Sequence, residues 1–392
     1  MKAKLIGIAL IAVTATAVTF YPNLKSSATV QTQTVEDQTQ KIEVVFVLDT
    51  TSSMTDLIET AKEQSWSIAT TMAQAEQAPD IRLGLVAFRD RSEEYVTQVV
   101  DLSSDLDSMY ATLMQFAAAG GGDGPESVNQ ALNDAIHQIS WSQDPSSYQV
   151  VFLVGDAPPH MDYQGEMQYP QILEAATERG IVVNTIQCGD VQQTVGHWTQ
   201  IASLGNGRYM KVSQAGDAFA VATPYDEEIA ELSAQLDQTR LFYGDEEEVA
   251  AMDRKIEATD SLHALASVAA RARRAVFNAT AAGAANLFGE KDLVDDIASG
   301  EVALEDLPEA EMPAALRGLD RDAQEARVAG LAGRRNELQR QIEQLTDARS
   351  DYVDEVVGET EDIGSSLDLQ IYEAVREQAA PKGLTYESGP EF

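Results

Sequence analysis

EVVFVLDTTSSM, residues 43–54, runs from an unbroken apolar stretch straight into a cluster of acid and hydroxyl side chains. From Val44 to Leu48 no polar residue interrupts the run, the mark of a strand buried on both faces of a sheet rather than one. Asp49, Thr51 and Ser53 follow at once. A carboxylate with hydroxyls two and four residues later can converge on one point as the chain turns into a helix. Small hard cations such as Mg²⁺ take oxygen ligands of this kind and keep several waters. The same Thr and Ser also suit a helix start, where they satisfy free backbone amides.

Outward from this stretch the pattern alternates. Met54, Leu57, Ile58, Ala61, Trp66, Ile68, Ala69 and Met72 fall close to helical spacing. Residues 81–88 return to strand, 127–139 read as helix, 148–154 as a second buried strand and 169–179 as helix. A strand at 181–187, a short helix at 197–202 and a last strand at 208–212 complete the series. Strands alternating with helices through long crossovers predict an α/β fold, a doubly wound and mostly parallel sheet with helices on both faces, placed at 41–222.

Two further segments sit at strand ends, the edge where open parallel sheets bind ligands. The loop GGGDGPE, 120–126, offers Asp123 and Glu126 as further oxygens for the same cation, and its glycines permit a tight turn near a ligand. Pro125 and Glu126 equally suit the first turn of a helix. GDAPPH, 155–160, follows the second buried strand and brings Asp156 toward Asp49. His160 is a candidate ligand or base, although hard-cation sites prefer oxygen and a hydrogen-bonding histidine is the plainer reading. Arg89, at another strand end, suits a salt bridge or a rim contact to a ligand. The one cysteine, Cys188, ends a buried strand and reads as a packed, inert thiol.

These three segments resemble the metal-ion-dependent adhesion site of the von Willebrand factor A family, whose first motif is Asp-x-Ser/Thr-x-Ser. Asp49, Thr51 and Ser53 match that motif residue by residue, and Asp156 matches the acid the family places after a later central strand. The combination is similar to a bacterial extracytoplasmic branch of the family. The resemblance implies a binding or adhesion module that holds Mg²⁺, with Mn²⁺ or Ca²⁺ as substitutes, and meets an acidic side chain of a protein partner. One departure stands out. The family usually supplies a threonine from the middle loop, where this chain has Asp123 and Glu126.

Beyond 222 the apolar strands stop. Residues 223–355 read as a helical region, with helices at 226–240, within 245–285 and at 319–355, and an acidic loop at 299–313. Val328, Leu331, Leu338, Ile342, Leu345 and Tyr352 are spaced in a heptad-like way, which suggests a helical hairpin, a short coiled coil or helices packing on one another. The remaining 356–392 is a tail with one possible helix at 367–386.

At the other end, Lys2 and Lys4 precede an apolar stretch from Leu5 to Phe20 and then Ser26-Ser27-Ala28, the layout of an export signal over 1–28. The stretch is 16 residues with three threonines, short for a membrane span, so a cleaved signal is expected ahead of a retained anchor. No other segment is apolar enough to cross a bilayer. A polar tether, 29–40, follows, and the expected location is extracytoplasmic: periplasmic, cell-surface or secreted.

Composition narrows the partners. The 392 residues carry 27 Lys and Arg against 64 Asp and Glu, a net charge of −37. Such a surface repels phosphates, which argues against nucleic acid and anionic membranes. An enzyme is the alternative from another class: a strand-terminal Asp49 suits Mg²⁺-dependent phosphoryl transfer, but such sites carry a second Asp where Thr51 stands. No phosphate loop, nucleophile elbow or His-Glu-x-x-His motif occurs, and a non-enzyme is expected. A third reading is a scaffold acting through its helical region.

Overall fold

The computed structural model describes residues 39–55, 57–122, 124–212, 222–358 and 366–386. The expected signal at 1–28, all but the end of the tether, and Asp123 lie outside the described residues. Six strands form one sheet: β1 (Lys41–Asp49), β2 (Asp80–Phe88), β3 (Thr97–Ser103), β4 (Tyr148–Gly155), β5 (Val182–Cys188) and β6 (Asn206–Val212). Their order across the sheet is β3-β2-β1-β4-β5-β6, with β3 the antiparallel edge and every other pairing parallel. The order reverses between β1 and β4, and that switch point opens a crevice beyond the strands' C-terminal ends.

Period-2 alternation along the buried strands feeds two cores. Ile42, Val44, Phe46 and Leu48 of β1 join Tyr148, Val150, Phe152 and Val154 of β4 on one face, where Phe46 and Phe152 stack at 5.9 Å. Val45 and Val47 join Val151 and Leu153 on the other. Both sides are fully apolar, which is why the sequence shows runs rather than alternation. The second face is covered by α3 (Val128–His137), α4 (Tyr169–Glu178) and α5 (Gln192–Leu204), through Val128, Leu132, Ile172, Leu173 and Trp198.

The first face is covered by α1 (Ile58–Ala73) and α2 (Leu106–Gln115). Asp105 caps α2, accepting from the Ser108 amide at 3.4 Å. β3 and α2 are absent from the sequence reading. β3 is a half-exposed edge strand with a mixed polar pattern, and α2 is short, although Leu106, Met109, Tyr110 and Leu113 follow a helical stripe behind their acidic cap.

The helical region comprises α6 (Asp226–Asp237), α7 (Glu246–Leu265), α8 (Val268–Ala279), α9 (Ala281–Phe288), α10 (Leu293–Ser299) and the long α11 (Arg321–Gly358). On α11, Leu338 and Ile342 pack with Ile229, Ala272 and Phe288, and Val328 packs with Leu293, Leu304 and Met312. The heptad-like stripe is therefore used within the chain, against its own helices. The acidic segment near 300–320 takes part as well, burying Leu304, Met312 and Leu316.

The last helix, α12 (Leu367–Ala379), returns to the sheet. Its Ile371, Tyr372 and Val375 complete the first core beside Trp66 and Met72 of α1. Gln378 accepts from Tyr148 Oη at 2.8 Å and donates to Asn184 Oδ1 at 2.8 Å, and Asp368 accepts from Ser67. What reads as a tail is a covering helix of the sheet.

Candidate metal centre

Strand register sets the site. Asp49 pairs with Phe88 at the end of β1, and Leu48 pairs with Val154 on β4, so Asp49 and Asp156 flank the switch point. After Asp49 the chain makes a single 3-10 turn, Ser52–Met54, before α1. That turn brings the hydroxyls back toward the strand end. Asp49 Oδ1 accepts from the Thr51 amide at 2.9 Å and from Thr51 Oγ1 at 2.6 Å. Thr51 Oγ1 lies 3.0 Å from Ser53 Oγ, and Ser53 Oγ donates to Asp156 Oδ1 at 2.9 Å. Asp49, Thr51, Ser53 and Asp156 thus form one continuous chain of oxygens.

Electrostatics single out Asp49. Its side chain is wholly buried, and Oδ2 has no hydrogen-bond partner among the described residues. Burial, with the Asp156 charge added, pushes its carboxyl up to about 7 against the Thr51 hydrogen bonds. Burial raises Asp156 in the same direction. Two desolvated carboxylates side by side, one with an orphaned oxygen, are costly in the absence of a positive partner. Two carboxylates and two hydroxyls are an all-oxygen donor set suited to a hard divalent cation. Among the described residues no group of three or more His, Cys, Asp or Glu side chains is placed to hold a metal, so a site here draws on the hydroxyls.

The middle loop borders the same place. Ser53, Gly120–Gly122, Glu126 and Asp156 line an open hollow of about 400 Å³. The Glu126 amide donates to Pro158 O at 2.9 Å and its carbonyl accepts from the His160 amide at 3.0 Å. The loop before α3 is thereby zipped to the segment carrying Asp156, with Glu126 buried at the seam.

Arg89 and His160 have other employment. Arg89 Nε donates to Thr50 O at 3.2 Å, Nη2 to Ala117 O at 3.0 Å and Nη1 to Glu94 at 3.2 Å, while its guanidinium lies 4.4 Å from the Tyr95 ring centre. It clamps the motif turn to the approach of the glycine loop. His160 is buried, stacks on Tyr163 at 4.0 Å and bonds Asp162 through Nδ1 at 2.8 Å, with Nε2 3.6 Å from Asp90. Asp90 in turn accepts from Ser127 and Tyr163. Asp90, which with Arg89 reads from the sequence as a strand-end residue suited to a salt bridge or a rim contact, serves this buried cluster, while sequence reasoning missed Tyr163 and Gly155. Gly155 passes so close beneath Asp49 that a Cβ there would lie 2.7 Å from Asp49 Cβ. Cys188 is packed below the two acids, its thiol pushed well up by burial.

The architecture is a doubly wound α/β domain with an acid-and-hydroxyl turn at its switch point. Residues 43–224 match the family model of the von Willebrand factor A domain, and this part of the chain is such a domain. Among solved structures, proximal thread matrix protein 1 from the mussel byssus aligns at 16% identity and a TM-score of 0.36, over 45% of this chain and 43% of that one. The same protein with a zinc-occupied MIDAS motif gives the same values. A von Willebrand factor type A from Catenulispora acidiphila aligns at 14% identity, covering 57% of this chain and 43% of that chain, with a TM-score of 0.34. The chain spans less than half the length of these structures. Comparison with curated proteins gives no match.

Proposed function

We propose that this protein is an exported, non-enzymatic binding module that engages a protein partner through a divalent cation held by Asp49, Thr51, Ser53 and Asp156, with Glu126 and Asp123 the acids of the adjoining loop. One observation carries the reading: Asp49 is wholly buried, with an oxygen that no described group satisfies, at the point where two hydroxyls and a second buried acid converge. Mg²⁺ is the cation the donor set favours, with Mn²⁺ and Ca²⁺ as alternatives of the same hardness. When bound, the cation supplies a surface positive charge that an acidic side chain of the partner can meet.

The chain's own residues do the rest. Asp49 and Asp156 provide negative charge, and Thr51 and Ser53 provide neutral oxygens that leave the cation electrophilic. The hollow beside Ser53 and Asp156 leaves room for a partner's side chain. Burial of Asp49 suits a ligand reached by a small ion better than a nucleophile that must meet a phosphoester. Export rests on the basic and apolar pattern of residues 2–28. Among the described residues no helix is long and apolar enough to cross a membrane.

The test is calorimetric titration of the full chain with Mg²⁺ and Mn²⁺, beside Asp49→Ala and Asp156→Ala. One saturable site per chain, lost in both variants while they remain folded, is the expected result. Unchanged binding in both variants, or none in the wild type, overturns the cation reading. Retention of a partner from an extract that EDTA does not release would move the function to another surface.

A further inference from the structure

Glu93, in the connection between β2 and β3, has no place in the sequence motif, yet its carboxylate is driven into the glycine loop. Glu93 Oε1 accepts from the Gly121 amide at 2.5 Å. Gly120 and Gly121 both have positive φ, +78° and +81°, so the loop curls around the acid. A Cβ on Gly120 would fall 1.8 Å from Glu93 Oε2, so a side chain there would require the carboxylate to move aside. That Oε2 is itself buried without a hydrogen-bond partner among the described residues.

The other side of the loop faces the cation motif. Ser52 Oγ donates to Gly120 O at 2.5 Å. A Cβ on Gly121 would lie 3.8 Å from Thr51 Cβ and 3.7 Å from the Ser52 amide. The loop is thus held between an acid behind it and the Thr51–Ser52 turn in front, and it forms a wall of the hollow that Ser53 and Asp156 share. A three-glycine segment has the largest backbone entropy to lose on ordering. A charge-assisted hydrogen bond at its centre is a strong means of ordering it in advance.

We propose that Glu93 is a positioning residue of the cation site: by pinning Gly120–Gly121 against Thr51 and Ser52 it keeps the glycine wall in place before the cation arrives. This rests on the cation reading above. Groups that orient a metal site from outside its ligands typically change metal affinity about 10- to 100-fold when removed. Glu93 acts through its acceptor oxygen, so glutamine, whose amide oxygen also accepts from Gly121, is a working substitute, and alanine is not.

The experiment uses the full chain and Mn²⁺ alone as probe, in wild type, Glu93→Ala, Glu93→Gln and Asp49→Ala. Calorimetry gives affinity, and hydrogen exchange of the metal-free proteins reports protection at Gly121. The expected result is affinity about ten-fold weaker in Glu93→Ala, near wild type in Glu93→Gln and absent in Asp49→Ala, with Gly121 protection lost only in Glu93→Ala. Equal weakening in Glu93→Ala and Glu93→Gln would make Glu93 a charge and not a positioner, and overturns the proposal. Wild-type affinity in Glu93→Ala, with binding still lost in Asp49→Ala, overturns it while leaving the cation site standing. A wild type that binds no Mn²⁺ removes both.

Discussion

Arg274 and Asp107 meet through two parallel hydrogen bonds, Nε to Oδ1 at 2.6 Å and Nη2 to Oδ2 at 2.7 Å, and with them α8 of the helical region is fastened to α2 of the sheet domain. Both side chains are buried. Arg274 Nη1 also reaches Asp237 at 2.9 Å, where His263 bonds at 2.7 Å, and Lys255 bonds Asp105 at 2.5 Å. Breaking such a pair leaves an uncompensated buried charge, a cost of about 3–5 kcal/mol. Arg274→Ala is expected to lose that much in urea unfolding, with the helical region and the sheet melting together. A loss below about 1 kcal/mol, the range of exposed pairs, would show that the joint is held by apolar packing alone.

The same cluster sets the acid limb of stability. Burial by itself raises the Asp107 carboxyl, but Arg274, Lys255 and Arg240 outweigh it and hold it well below the usual carboxylate range. A carboxyl depressed in the folded state contributes stability that is complete above its unfolded value, near 4, and lost as pH falls toward the folded one. Acid unfolding of the wild type is therefore expected to steepen below about pH 4. In Asp107→Asn, less stable at neutral pH, that part of the slope is expected to be missing. Parallel acid limbs for the two proteins would contradict this.

Asp49→Asn tests whether the site trades stability for binding. The substitution keeps an oxygen for Thr51 and removes a buried charge whose other oxygen has no described partner. The metal-free variant is expected to melt higher than the metal-free wild type, and to gain nothing from added Mg²⁺. A cation that binds only the native state raises the wild-type melting point, and goes on raising it with the logarithm of its free concentration above Kd. Scanning calorimetry with and without EDTA measures both, and a variant less stable than wild type under EDTA would contradict the expectation.

Gly155→Ala attacks the site from below without touching a ligand. The new methyl would lie 2.7 Å from Asp49 Cβ, 3.0 Å from its Oδ2 and 3.3 Å from Trp198. Overpacking of this kind costs about 1–3 kcal/mol, and the displaced Asp49 is expected to lose its bonds to Thr51 and at least ten-fold in cation affinity. Unchanged affinity by titration would mean that β4 yields instead of Asp49.

Ile371→Ala probes α12. Ile371 is fully buried against the first core, and truncating such a side chain costs about 2–5 kcal/mol. Residues 41–222 made alone are expected to be insoluble or loosely folded, because they lack this cover. A cooperative, soluble 41–222 fragment would show that α12 is dispensable.

How far the sequence carries depends on whether a signal is local. β1 and β4 are legible because strands buried on both faces read as unbroken apolar runs, and the motif at Asp49 is legible because Thr51 and Ser53 follow it at two and four residues. β3 is not, since an edge strand with one wet face has little to distinguish it. The place of α12 depends on Gln378 meeting Asn184, and the joint depends on Arg274 finding Asp107. Neither pairing has a local signature. Glu93 is invisible for the same reason: its partner is a backbone amide on a different loop. The apolar stripe on α11 was readable, but a spacing of 3 and 4 does not say whose surface covers it.

The position of α12 also imposes an order of events on synthesis. β1 leaves the ribosome long before Leu367–Ala379, so the part of the first sheet face that α1 and α2 do not cover stays wet until α12 has been made. Contacts of such long range are slow to close. A nascent chain halted before residue 366 is expected to be degraded by protease, and the released chain to resist. A domain that cannot finish early stays open to proteases and chaperones until that covering helix has been made.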